Sequence, residues 1–325
     1  MPISLTRTSP LGEGVLYYDG TQSQSLNRFK KAIFGYGSVS GTSGISLTNQ
    51  VNINGLVATD VTGVGTARMS LAASGYGGDK AIFGYGYDFS NNLSMTNLAS
   101  NIGVISSDVT GVGTVRRSLA ASGYGGDKVI FGYGTAVGVT AITNLASNLG
   151  VVSADVTGVG TLRRSLAAAS YGVDKAIFGF GATSSGNSTA TTNLVSNTGV
   201  VATDTTNSNY PRHDVGAASY GGDKAIFGFG QTYLSGTANF SSATHLVSNL
   251  GILAAVTTGV SSNFRHALAA AGYGGDKAIF GYGYSSTNAA VSNVTNLISN
   301  VGICSTDVTG VGTARYVLAA AGFGS

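Results

Sequence analysis

The chain has no tryptophan, one cysteine, three prolines and little charge: Asp, Glu, Lys and Arg make up 10% of its 325 residues, against about 25% in ordinary soluble domains. Each shortage closes something off. A lone Cys304 cannot form a disulfide within the chain and reads as a small packed residue where other copies of the repeat described below carry aliphatic side chains nearby. The formal net charge of +3, spread along the sequence, is too weak for the basic footprint of a nucleic-acid binder. No apolar run approaches the ~18 residues of a membrane-spanning helix, and the opening Met1-Pro2-Ile3-Ser4-Leu5-Thr6-Arg7-Thr8 lacks the basic-then-apolar order of a signal peptide. The expectations are no nucleic-acid partner, no membrane insertion and no export by that route. Carboxylates spaced as in calcium-binding loops are missing. The recurring Gly77-Gly78-Asp79-Lys80 is not followed by the Ser/Thr and helix of a phosphate loop.

What the chain has is glycine, 50 residues of it, and repetition. Variants of Ala-Ile-Phe-Gly-Tyr-Gly recur at Ala32, Ala81, Val129, Ala176, Ala225 and Ala278, about fifty residues apart, and a unit of that size made of short strands is stable only when its neighbours stack on it. Residues 68 to 116 serve as the type unit. Ser70–Tyr76 is a strand of small residues suited to a crowded axis, and Gly77-Gly78-Asp79-Lys80 is a tight hairpin whose glycines accept positive φ. In Ala81–Gly86 the period of two places Phe83 and Tyr85 on one face and Gly84 and Gly86 on the other, so that rings of one unit can seat over glycines of the next. Thr96–Ser100 is a third strand, Asn101-Ile102-Gly103 a turn, and Val104–Val109 a fourth strand.

The last residues, Leu318–Gly324, repeat Leu268–Gly274, so the sequence stops after an inner strand whose partner strand, Lys31–Gly37, stands at the start. Complementary half-units fit a ring better than an open solenoid, which needs polar caps. The expected fold is all-β: a six-bladed β-propeller of four-stranded blades over residues 30 to 325, closed by the C-terminal inner strand pairing with the N-terminal strand. Residues 1 to 29 fall outside the register and form a separate segment, whose apolar Val15, Leu16, Tyr17 and Tyr18 are the expected docking element for a partner chain.

An Arg before the inner strand, then Ile82-Phe83-Gly84-Tyr85-Gly86, a variable loop and two further strands resembles the kelch repeat, with Gly-aromatic-Gly in place of the paired glycines and no tryptophan in the fourth strand. The resemblance spans residues 30 to 325 and implies a propeller with ring closure of the kelch kind. The near-identical units rich in Gly, Ser, Thr and Asn are also similar in style to repeats of phage tail and fibre proteins.

Two polar patterns and one face remain. Asp60, Asp108, Asp155, Asp204 and Asp307 end fourth strands, and Arg68, Arg116, Arg163, Arg212 and Arg315 follow eight or nine residues later, with Ala255 and Arg265 in the fifth unit. Recurrence in nearly every unit suits one turn-stabilising ion pair per blade rather than an active site. His213, His245 and His266 are expected in loops or at the surface, and with Cys304 they do not make the copper set of kelch-like galactose oxidases. No catalytic residue, metal or cofactor is expected. Loops joining second and third strands vary most, which marks the binding side of a repeat protein. The candidate contact residues there are Tyr87, Phe89, Tyr233, Phe240 and Tyr284, with Tyr210 in the irregular loop that ends the fourth unit. The expected function is that of a non-enzymatic virion component, from a phage tail fibre, tail tip or capsid surface, which meets other virion proteins through the N-terminal segment and a host receptor or glycan through the loops. The alternative is a cellular kelch-type interaction module or sugar-binding lectin.

Overall fold

The computed structural model describes residues 29–206, 210–234, 236–259 and 261–325; the expected docking residues Val15, Leu16, Tyr17 and Tyr18 lie outside them. The described residues are all-β, in small antiparallel sheets with no helix. Each repeat has a short inner strand of small residues, a middle strand and a third strand: Ala72–Tyr76, Lys80–Tyr87 and Asn92–Ala99 in the second unit. Tyr76 faces Lys80, which leaves Gly77, Gly78 and Asp79 to turn the chain. Gly77 has φ 58°, and a Cβ on it would stand 2.8 Å from the carbonyl oxygen of Asn148 in the next unit, so glycine is required twice over.

Units are joined in two ways. The first described strand, Lys31–Gly35, pairs antiparallel with the last, Ala319–Phe323, with Lys31 opposite Phe323 and Gly35 opposite Ala319. Between sheets, ring meets glycine. Phe83 lies on Gly35, Phe131 on Gly84, Phe178 on Gly132, Phe227 on Gly179, Phe280 on Gly228 and Phe34 on Gly281, each 2.8 to 3.1 Å from where a Cβ would be. The buried rings are fully shielded from water, and each contributes on the order of 2 to 3 kcal/mol of apolar burial. Backbone bonds add a further circuit. The N–H of Ser118 donates to Ser70 O, Ser165 to Ser118, Asp214 to Ser165, Ala267 to Asp214, Val317 to Ala267 and Ser70 to Val317, all at 2.8 to 2.9 Å.

Two expectations are corrected. Phe83 and Tyr85 do not share a face: Phe83 packs toward Tyr36 of the first unit and Tyr85 toward Phe131 of the third, with ring centroids 5.4 and 5.3 Å apart. The cause is local. Tyr85 has φ 65°, and its counterparts Tyr36, Tyr133, Phe180, Phe229 and Tyr282 lie between 61° and 66°, a conformation that breaks the alternation of a strand and is costly for an aromatic residue. Each unit therefore sends one ring forward and one back, and the two interlock.

The fourth strand is the second correction. Val104–Val109 makes no continuous ladder and meets the third strand only at Ala99↔Ile105 and Thr96↔Val109. Between those bridges the third strand advances three residues and the outer segment four, which is a bulge. Asn97 spans it, its Nδ2 donating to Ser106 O at 3.0 Å and to Asp108 Oδ1 at 2.9 Å. A two-residue strand, Thr205–Thr206, is the only outer element regular enough to join a sheet among the described residues.

Candidate functional site

The most repeated polar feature is buried, and it is wired differently from the expected pair. Arg68, Arg116, Arg163, Arg212, Arg265 and Arg315 have no solvent exposure. Each lies over the aromatic ring that ends the preceding unit's middle strand, from Arg315 over Tyr282 at 4.3 Å to Arg212 over Phe180 at 5.1 Å. Where a unit has the carboxylate, it closes onto the arginine that opened the same unit, not onto the arginine eight residues downstream, because the intervening turn carries that one into the next unit. Thus Arg116 Nη2 donates to Asn144 Oδ1 at 2.7 Å and its Nη1 stands 3.6 Å from Asp155, while Arg315 donates to Asn49 at 2.7 Å and stands 4.0 Å from Asp60. Thr114 completes the carboxylate's partners through its N–H and hydroxyl. Burial pushes Tyr36, Tyr85 and Tyr282 up to about 12. Burial acts against Asp60, Asp108, Asp155 and Asp204 as well, but their threonine and asparagine hydrogen bonds outweigh it and hold them below the ordinary carboxylate value. This network ties units together, with its arginines buried and its carboxylates at the rim.

The fifth unit breaks the pattern. His245 occupies the asparagine position and is fully buried, which corrects its expected place in a loop or at the surface; Arg212 Nη2 lies 2.6 Å from its Nδ1. Burial, with the Arg212 charge, lowers His245 to about 4, so the imidazole packs as a neutral asparagine substitute.

The predicted contact residues all lie on the side of the variable loops and form separate groups. Tyr87 and Phe89 pair at 5.7 Å, and Arg117 covers Tyr87 at 4.4 Å. Tyr210 stays exposed, with its ring 6.3 Å from His245 and its hydroxyl 3.3 Å from Ser241 Oγ. Tyr233 and Phe240 stand on a hairpin of their own, Gln231–Leu234 with Thr237–Phe240. Phe240 and Tyr284 both meet His266, at 5.4 and 5.5 Å, and Tyr284 meets Tyr316 at 5.9 Å. A continuous row of four rings results.

Beside that row is a cluster that the repeat pattern hides. In the backbone circuit the other positions are Ser70, Ser118, Ser165, Ala267 and Val317; only Asp214 is charged. Gln231 Nε2 donates to Asp214 Oδ2 at 3.0 Å, His213 Nε2 and His266 Nδ1 stand 3.7 and 3.8 Å from the same oxygen, and Ser188 Oγ lies 2.8 Å from His213 Nδ1. Burial would raise the Asp214 pKa, but the close approach of His266 and the fields of both histidines bring it to about 2. Burial lowers His213. The readable signal was Arg212-His213-Asp214, where sister units have Arg-Met-Ser, Arg-Arg-Ser, Arg-His-Ala and Arg-Tyr-Val. Among the described residues no group of three or more His, Cys, Asp or Glu side chains could hold a metal ion.

The opposite side, carrying the Gly-Gly-Asp-Lys and Asn-x-Gly turns, has its own chemistry. Pairs of aliphatic side chains flank the turns and stand in water: Leu56, Ile102 with Val104, Leu149 with Val151, Leu250 with Ile252, and Val301 with Ile303 are 60 to 75% exposed. Phe29 enters on this side and lies against Gly75 and Gly322 at the turn ends of the inner strands. Lys80 pairs with Asp79 at 2.6 Å, and the equivalent pairs recur in later units.

No family model and no curated protein matches the chain. It is similar to a solved structure presented as "Structure of YjhT", with 12% identity, a TM-score of 0.64, and coverage of 84% of this chain and 95% of that one. At that identity the likeness is one of fold.

Proposed function

We propose that the sheets form a six-bladed kelch-like propeller, closed where Lys31–Gly35 pairs with Ala319–Phe323, and that this ring is a non-enzymatic display module of a virion. Its turn face and residues 1 to 29 attach it to other virion proteins of a tail fibre, tail tip or capsid surface, and its loop face meets a host-surface receptor or glycan. One observation carries the reading: the two faces differ in kind. The turn face repeats the same exposed aliphatic pair and receives Phe29, as suits attachment, whereas the loop face is irregular, aromatic and polar, as suits recognition. The repeated arginines are fully buried and tie neighbouring units together. The ring of Phe240, His266 and Tyr284 beside Asp214 equally favours a second reading, a cellular lectin or kelch-type interaction module. Mass spectrometry of purified particles separates them. This chain is expected at stoichiometric abundance in the virion, and its absence from any particle leaves the lectin or interaction module.

A further inference from the structure

We infer that the loop face carries a binding site for a neutral saccharide, formed by Asp214, Gln231 and His266 with the rings of Phe240 and Tyr284. This rests on the reading of the loop face as the recognition side and names what it recognises.

A pyranose has an apolar face of C–H groups and an edge of adjacent hydroxyls, so a site for it needs a ring to lie under the first and fixed acceptors and donors beside the second. Both are here together. Phe240, His266, Tyr284 and Tyr316 form an unbroken row with successive centroids 5.4, 5.5 and 5.9 Å apart, and Phe240 keeps 38% of its surface in water. At the middle of that row His266 Nδ1 stands 3.8 Å from Asp214 Oδ2, and Gln231 reaches both, at 3.0 Å from the carboxylate and 3.5 Å from the imidazole. The Asp214 side chain is 22% exposed and borders an opening lined by Ser70, Ser118 and Ser165. It is held in place by its backbone bonds to Ser165 and Ala267, so the acceptor is preorganised, which limits the entropy lost on binding.

The charge pattern selects among ligands. An anionic ligand would face the only carboxylate in the circuit. A cationic one would find that carboxylate already supplied with donors by Gln231 and flanked by His213 and His266. Neutral hydroxyls, which both donate and accept, fit what is left. The other units lack the set, since their equivalents of Asp214 are Ser, Ala and Val, so one site per chain is expected.

The test is saturation-transfer NMR on the full chain with methyl glucoside, methyl galactoside, methyl mannoside, N-acetylglucosamine and, as a charged control, arginine methyl ester. At least one sugar is expected to receive saturation at its ring C–H protons, and affinity should fall about tenfold or more in Asp214→Asn, where a charge-assisted hydrogen bond is lost. The exposed Phe240→Ala, which leaves the core intact, should weaken binding comparably and serves if Asp214→Asn does not fold; Tyr87→Ala, in another unit, should not. Saturation of no sugar, of the arginine ester alone, or of a sugar equally in both site variants overturns the site. Variants that lose sugar binding yet remain in the particle keep the two readings apart, because particle incorporation tests the display role and not the ligand.

Discussion

Units three and five follow one plan and close it differently. In unit three Arg116 lies over Tyr85, donates to Asn144 and stands near Asp155; in unit five Arg212 lies over Phe180, faces a neutral His245, and has Ala255 where the carboxylate would be. Both arginines are fully buried. The ring-on-glycine contact and the stacked guanidinium are thus the indispensable parts, and the carboxylate is a reinforcement that one unit does without. The same unit that gives up its rim carboxylate carries Asp214 at the inner end of its first strand. Departures gather in one sector, residues 210 to 285, and they gather on the loop side, where uniformity is not needed for units to stack.

The largest effect should come from removing what every unit shares. Deleting residues 317 to 325 strips Lys31–Gly35 of its partner strand and removes Ala321 and Phe323 from the cluster that covers Ile33 and Phe83; a fall in melting temperature of more than ~10 °C is expected, read by circular dichroism. Arg116→Met leaves the buried Asn144 Oδ1 without its donor and the partly exposed Asp155 without its neighbouring charge, at a cost of about 1 to 3 kcal/mol. Arg212→Met, with no carboxylate to strand, should cost clearly less in the same denaturant titration, and equal losses would erase the distinction between the two units. Gly132→Ala is next. Its methyl would stand 2.8 Å from the Phe178 ring, an overpacking worth about 1 to 3 kcal/mol.

Acid should sharpen the contrast further. Asp60, Asp108, Asp155 and Asp204 have folded pKa values below the ordinary 3.8, through hydrogen bonds that outweigh burial. A carboxylate depressed on folding adds stability that is present above its unfolded pKa and is lost as the pH falls through the folded one. The melting temperature should therefore hold from neutral pH down to about 5 and decline below the ordinary carboxylate value. Asp155→Asn should flatten that decline, since asparagine carries no proton-linked charge, and an unchanged acid profile would remove the carboxylate from the network. The smallest stability effect belongs to the turn face. Replacing Ile102 and Val104, 65 and 60% exposed, together by serine should change stability by less than about 0.5 kcal/mol per site while reducing particle incorporation, measured by quantitative mass spectrometry.

The repeat, the inner and middle strands and the pairing of the first and last strands could be read from the residues, because periodicity and small-residue strands are properties of the chain itself. Tyr85 could not be placed, since strand alternation presumes negative φ and its φ is 65°. The outer segment read as a strand from its valines, but the extra residue opposite Thr96–Ala99 and the Asn97 side chain that spans it break the ladder. Arginine was read as the ion-pair partner of the carboxylate just upstream and histidine as a loop or surface residue, whereas Arg116 and His245 are buried against rings that only the stacking of neighbours brings to them. Asp214 was visible as a departure among repeats, yet its meaning depended on His266, fifty-odd residues away in sequence and 3.8 Å away in space.

The proposed display role predicts a polarity of the two faces that can be measured directly in purified particles. Val137, at a loop tip, is fully exposed and Leu149, on the turn face of the same unit, is 75% exposed; each is replaced in turn, Val137→Cys or Leu149→Cys, in a Cys304→Ser background, and the rate of maleimide labelling is compared between the isolated chain and intact particles. Val137→Cys is expected to react at the same rate in both and Leu149→Cys to be protected in the particle; protection of the loop residue with a freely reacting turn residue, or equal reactivity of both, would contradict attachment through the turn face.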